Sequence, residues 1–114
     1  MSLGGDPTPA RKLFHVTREA NVPGILSVGV SPAFALGKLR ASWYVDSTRL
    51  SWAIAHVSDN TGLSVAELYV CHVLARREAF KRTRLPGVFT STEVLFAWQV
   101  DRAILSLRPD DLDK

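Results

Sequence analysis

Apolar and polar residues alternate along this chain in short runs, and the runs predict more strand than helix. Lys12-Leu13-Phe14-His15-Val16-Thr17 reads as a short strand, with His15 and Thr17 on one face by the period of two. From Asn21 to Val30, a Pro-led turn, apolar Ile25 and Val28 and a closing Gly29 predict a short helix with a glycine stop. Residues 31–40, with Pro32, Gly37, Lys38 and Arg40, predict a loop. Ser42-Trp43-Tyr44-Val45 is a second short strand, and Asp46, Ser47 and Thr48 then offer capping groups. A helix from about Thr48 to Val57 follows, with Leu50, Ala53, Ile54 and Val57 on one face. Val65 to Leu74 is the longest strand candidate, and Arg102 to Leu107 predicts a last strand.

The run from Gly87 to Trp98 is apolar, β-branched and aromatic, and predicts a buried strand. One carboxylate, Glu93, interrupts it. A charge in such a run must find a partner, shift its pKa, or face a cavity that uses it. The plainest alternative is that Glu93 sits at a solvated strand end.

Taken together the elements predict a single α+β domain with a strand-rich second half. Residues 1–10 read as a flexible tail, 11–109 as the domain and 110–114 as an acidic tail. A chain of 114 residues holds one core and not two. No apolar run approaches the ~20 residues of a membrane helix, so no membrane partner is expected. The single cysteine, Cys71, lies in an apolar run and cannot form an internal disulfide, which favours a cytoplasmic setting. One Cys and three scattered His give no zinc constellation, so no metal is expected.

The net charge of +3 is unevenly placed. Arg76, Arg77, Lys81, Arg82 and Arg84 stand against Glu78 alone, a local balance of +4 that leaves the rest near −1. Such a patch is either a solvated loop or a contact surface for an anionic partner.

Three fragments resemble the ADP-ribosyltransferase superfamily, on the side of diphtheria toxin and the poly(ADP-ribose) polymerases, which carry a His, a Tyr and a Glu on separate strands. Leu13-Phe14-His15-Val16-Thr17 is similar to the family's His-Gly-Ser/Thr strand, and Asn21 to Val30 to the Asn-x-x-x-Ile-Leu-x-x-Gly-Leu helix after it. Gly37 to Ser47 resembles the Gly-x-Gly-x-Tyr-Phe-Ala-Asp-Ser run that leads into a helix. Thr92-Glu93-Val94-Leu95-Phe96 resembles the Asn-Glu-Tyr-Ile-Val strand with the catalytic Glu, and Asp101-Arg102-Ala103-Ile104 the element beyond it. The likeness spans roughly residues 12–108. Val16 replaces the family glycine, and the register puts Trp43 on the family Tyr with Tyr44 as the alternative; strand alternation lets only one of them line a pocket. The same register puts Ser51 on the family's nicotinamide-binding Ser and Ile54 where a second stacking Tyr stands.

The resemblance implies a split β-sandwich with an NAD⁺ cleft. It further implies cleavage of the nicotinamide–ribose bond and transfer of ADP-ribose to a macromolecular acceptor, nucleic acid or protein, as in a bacterial toxin or modifying enzyme. Glu93 would stabilise the oxocarbenium-like sugar, and Trp43 or Tyr44 would stack on nicotinamide, worth ~0.5 to 2 kcal/mol. The Val16 backbone and the Ser51 hydroxyl would hold the amide, His15 the adenosine ribose, and Thr17 would steady the strand. Arg76, Arg77, Lys81, Arg82 and Arg84 would lie in the acceptor loop. Ser91, two residues before Glu93, is not the Glu of arginine-modifying members. Two alternatives share the fold: an enzyme moving a 2′-phosphate from RNA to NAD⁺, and a non-catalytic module that binds nucleotide or nucleic acid. His56 and His72 are assigned to helix surface and sheet, without a catalytic role.

Overall fold

The computed structural model describes residues 10–31 and 41–107. The chain runs through β1 (Ala10–Arg18), α1 (Val22–Val28), β2 (Ser42–Val45), α2 (Leu50–Thr61), β3 (Leu68–Arg76), β4 (Lys81–Arg82), β5 (Val88–Ser91) and β6 (Ala97–Arg102), with 3₁₀ turns at several junctions. All strand pairings are antiparallel, in one six-stranded sheet of order β4-β5-β2-β1-β3-β6. The domain is therefore α+β. No helix among the described residues is long and apolar enough to cross a membrane.

Period-two alternation sends side chains to both faces of this sheet, and each face is covered. On one face Leu13, Tyr44, Cys71, Val73 and Phe89 pack with Ile25 of α1, Val30, Phe80 and Leu95. On the other, Phe14, Val45, Leu68, Val70 and Val88 pack with Leu50, Ala53 and Ile54 of α2 and with Ala103. A strand covered on both sides has little need of polar residues, which explains the near-continuous apolar run of β3 from Leu68 to Ala75, interrupted by His72. Leu13, Leu68, Val70 and Val73 are wholly buried, each worth about 1.5–3 kcal/mol relative to exposure.

Local chemistry sets the helix ends. Asp46 Oδ1 accepts from the Thr48 amide at 2.9 Å, so the capping run does turn the chain into α2. Gly29, with φ of 87°, closes α1, and its amide donates to the Ile25 carbonyl at 2.9 Å. Ile25 is buried as expected, but Val28 is exposed.

Several sequence expectations need correction. The run from Gly87 to Trp98 is two strands, and Glu93 lies in the bend between them. The Ser91 hydroxyl accepts the Glu93 amide at 3.1 Å and turns the chain. Val30 and Leu95 then exchange backbone hydrogen bonds of 2.7 and 3.2 Å, which carry the segment across the α1 face to reach β6. Val65–Glu67 is a 3₁₀ turn, held by a capping box between Ser64 and Glu67, so β3 starts only at Leu68 and runs on to Arg76. The last strand is Ala97–Arg102, and Ala103–Ser106 is a 3₁₀ turn whose Ala103 enters the α2-side core. The expected sandwich is one sheet and not two facing ones, because β1 joins β2 directly. Ala10, expected in the tail, opens β1; the rest of that tail, residues 32–40 and the acidic tail lie outside the described residues.

Candidate functional site: a groove where two strands part

All nine residues of β1 are in register with β3, from Ala10 opposite Arg76 to Arg18 opposite Leu68. Its register with β2 is a single pair, Phe14 and Val45. Past that pair the two strands diverge, and a groove of about 900 Å³ opens between them. Its first wall comes from β1, β2 and α1, and includes His15, Val16, Thr17, Asn21, Ser42 and Trp43. Its second wall comes from α2, with Trp52, Ala53, His56, Val57 and Asn60, and Leu85 and Val88 add to it from the β4–β5 hairpin.

His15 is fixed across the parting. Its Nδ1 lies 2.8 Å from the Trp43 carbonyl oxygen. A carbonyl only accepts, so Nδ1 carries the proton, and in the neutral ring Nε2 is an acceptor without a hydrogen-bond partner among the described residues. Burial pulls the His15 pKa below its ordinary 6.5, against the opposing effect of the bond to Trp43, so the ring is neutral near pH 7. Thr17 is buried at the groove margin, and its hydroxyl accepts from Asn21 Nδ2 at 3.0 Å.

Trp43 and Tyr44 take opposite faces of β2. Trp43 is 53% exposed and lines the groove, whereas Tyr44 is 1% exposed in the α1-side core, 5.6 Å between ring centroids from His15. The Tyr44 hydroxyl is buried with no hydrogen-bond partner of good geometry among the described residues; burial pushes its pKa up, and the Ser42 hydroxyl offsets this only partly. Ser51 is not in the groove lining, and Ile54 is buried under the sheet. Besides Ala53 and Val57 of the apolar stripe, the α2 residues that reach the groove are Trp52, His56 and Asn60, spaced i, i+4 and i+8 on one side of the helix. That spacing was present in the sequence but was outweighed by the stronger apolar stripe beside it.

Glu93 is not among the residues lining the groove. Its Oε2 accepts from Arg76 Nη2 at 2.7 Å, with both side chains partly exposed. Arg76 stands opposite Ala10, at the end of the β1–β3 ladder away from Thr17. Among the described residues the groove lining contains no carboxylate. Ser91 is 2% exposed and turned inward, so it does not offer a surface to an acceptor.

The basic cluster divides. Arg76 is committed to Glu93, while Arg77 sits in the 3₁₀ turn after β3. Lys81 and Arg82 form the edge strand β4, and Arg84 follows in the hairpin; all three are exposed and make no ion pair among the described residues. The hairpin is docked on the start of α2: Arg49 Nε donates to the Pro86 carbonyl at 2.7 Å and the Asp46 amide to the Gly87 carbonyl at 2.9 Å.

Elsewhere, His72 Nε2 lies 2.8 Å from Asp101 Oδ2 and joins β3 to β6. Among the described residues, no group of three or more His, Cys, Asp and Glu side chains gathers to hold a metal ion. No protein-family model, curated protein or solved structure matches this chain.

Proposed function

We propose that the groove is a dinucleotide site and that the chain is an ADP-ribosyltransferase-like protein acting on NAD⁺. The observation that supports this most is the convergence of His15, Val16, Thr17 and Trp43, from two separate strands, on one groove. In this reading the exposed Trp43 indole stacks on the flat nicotinamide cation. The free Nε2 of His15 accepts from a ribose hydroxyl, and the Val16 backbone meets the amide. Glu93 acts once it leaves Arg76 and swings toward the sugar, where a fixed anion favours the oxocarbenium-like transition state over the ground state. ADP-ribose then passes to a macromolecule. Nicotinamide release from NAD⁺, compared between the wild type and Glu93→Ala, tests this. Release that falls at least tenfold in the variant is expected; no release from the wild type, or equal release from both, sinks it.

The ion pair of Glu93 and the absence of a carboxylate among the described lining residues favour a second reading, a module that binds nucleotide without cleaving it. NAD⁺ or ADP-ribose that binds the wild type and Glu93→Ala alike, with no nicotinamide released, selects that reading.

A further inference from the structure

The reading above uses the β1–β2 wall of the groove and leaves the α2 wall without a role. That wall is built of planar groups. The Trp52 indole and His56 imidazole are stacked, with centroids 5.0 Å apart and 15° between planes. Asn60 Nδ2 lies 3.0 Å from His56 Nε2 and continues the row along the helix. Trp52 is 38% exposed, so part of its indole is open to solvent.

Cations stand at the hairpin end of this row. The Arg49 guanidinium lies 5.8 Å from the Trp52 ring centroid. Arg84 directly precedes Leu85, which lines the groove, and Arg82 ends β4 shortly before it; neither arginine is itself in the groove lining, and neither makes an ion pair among the described residues. Among the described residues the lining holds no carboxylate that would repel an anion.

Exposed aromatic faces in a groove, a side-chain amide and imidazole able to pair with base edges, and unpaired guanidiniums at one end are the chemistry of single-stranded nucleic acid binding. A duplex, about 20 Å across with its bases stacked inside, presents no base face to such a groove. We infer that single-stranded nucleic acid lies along the α2 wall, its bases against Trp52 and His56 and its phosphates at Arg49, Arg82 and Arg84. That this strand is also the acceptor of ADP-ribose rests on the function proposed above; the binding does not.

The test is fluorescence anisotropy of the full chain with a fluorescein-labelled 12-nucleotide oligo-uridylate, a matched duplex, and polyglutamate as competitor. Single strand is expected to bind at least tenfold more tightly than duplex. Trp52→Leu is expected to weaken it about 5- to 160-fold, the range for loss of one stacked base. Arg82→Gln with Arg84→Gln should lower the slope of log K against log salt by about 1.4, or about 0.7 for each lost contact. Equal binding of duplex, a Trp52→Leu effect below fivefold, or displacement by polyglutamate as readily as by unlabelled oligo-uridylate overturns the proposal. Should Trp52→Leu fail to fold, the double arginine variant on the exposed hairpin decides: an unchanged salt slope overturns it. A chain that binds the oligonucleotide but releases no nicotinamide sinks the enzymatic reading and leaves this one standing.

Discussion

The imidazole of His15 and the carbonyl of Trp43, 2.8 Å apart, tie β1 to β2 beyond the single pair at which those strands are in register. The bond needs only Nδ1–H, but burial makes a second proton on the ring costly. The folded chain therefore holds His15 below 6.5, while the unfolded chain releases it near 6.5. Between the two values the unfolded state binds the extra proton, so this contribution to stability is complete above 6.5 and is lost as pH falls toward the folded value. Melting temperatures from pH 8 to 5 should decline below about 6.5, and less steeply in His15→Gln. A variant that tracks the wild type over that range refutes the assignment.

Gly87 and Gly24 should respond oppositely to a methyl group. At Gly87 φ is 78°, and an added Cβ would meet Arg49 Cγ and Asp46 Oδ1 at 2.7 Å. Gly87→Ala is expected to cost about 1–3 kcal/mol and to loosen the hairpin from α2. Gly24 lies inside α1 with nothing within 4 Å, so Gly24→Ala should stabilise by about 0.4–1 kcal/mol. Denaturant midpoints of the two variants check both signs.

Cys71 should be silent toward thiol reagents in the folded chain. It is wholly buried, and burial pushes its pKa up to about 11, so little thiolate exists at pH 7. Labelling with a chromogenic disulfide should follow the unfolding transition, with one thiol appearing per chain. Rapid labelling under native conditions contradicts the core placement.

Arg76→Ala separates a structural from a functional role for the Glu93 ion pair. With the two side chains 56% and 39% exposed, the pair is worth at most about 1 kcal/mol, and the melting temperature should hardly move. Under the enzymatic reading the freed Glu93 should raise nicotinamide release. A fall in release with stability unchanged would mean that Arg76 itself holds substrate.

The parts of the fold that were legible in the sequence are those fixed by local chemistry. Asp46 and Thr48 announced the start of α2, Gly29 the end of α1, and strand alternation the opposite fates of Trp43 and Tyr44. Glu93 was misplaced because Gly87–Trp98 was read as one apolar, β-branched strand, whereas the polar Thr90-Ser91-Thr92-Glu93 stretch inside it leads into the bend between two strands. What breaks the run is the contact of Leu95 with Val30, distant in sequence. Ala103–Ser106 was ambiguous for the same reason, a short apolar stretch that a 3₁₀ turn accommodates as well as a strand. The α2 wall was missed because helical periodicity identifies the side that packs on the sheet, and Trp52 and His56 belong to the flank beside it.

The two margins of the sheet are protected from self-association by different means. One margin, β4, is only two residues long, and both are cationic, so a neighbouring copy offering its own β4 meets like charge before any backbone pairing can form. The other, β6, is longer and carries an exposed Trp98, but its register slips between His72 and Val73, and that irregularity twists the template a docking strand would need to follow. Neutralising Lys81 and Arg82 together would remove the like charge that guards the β4 margin.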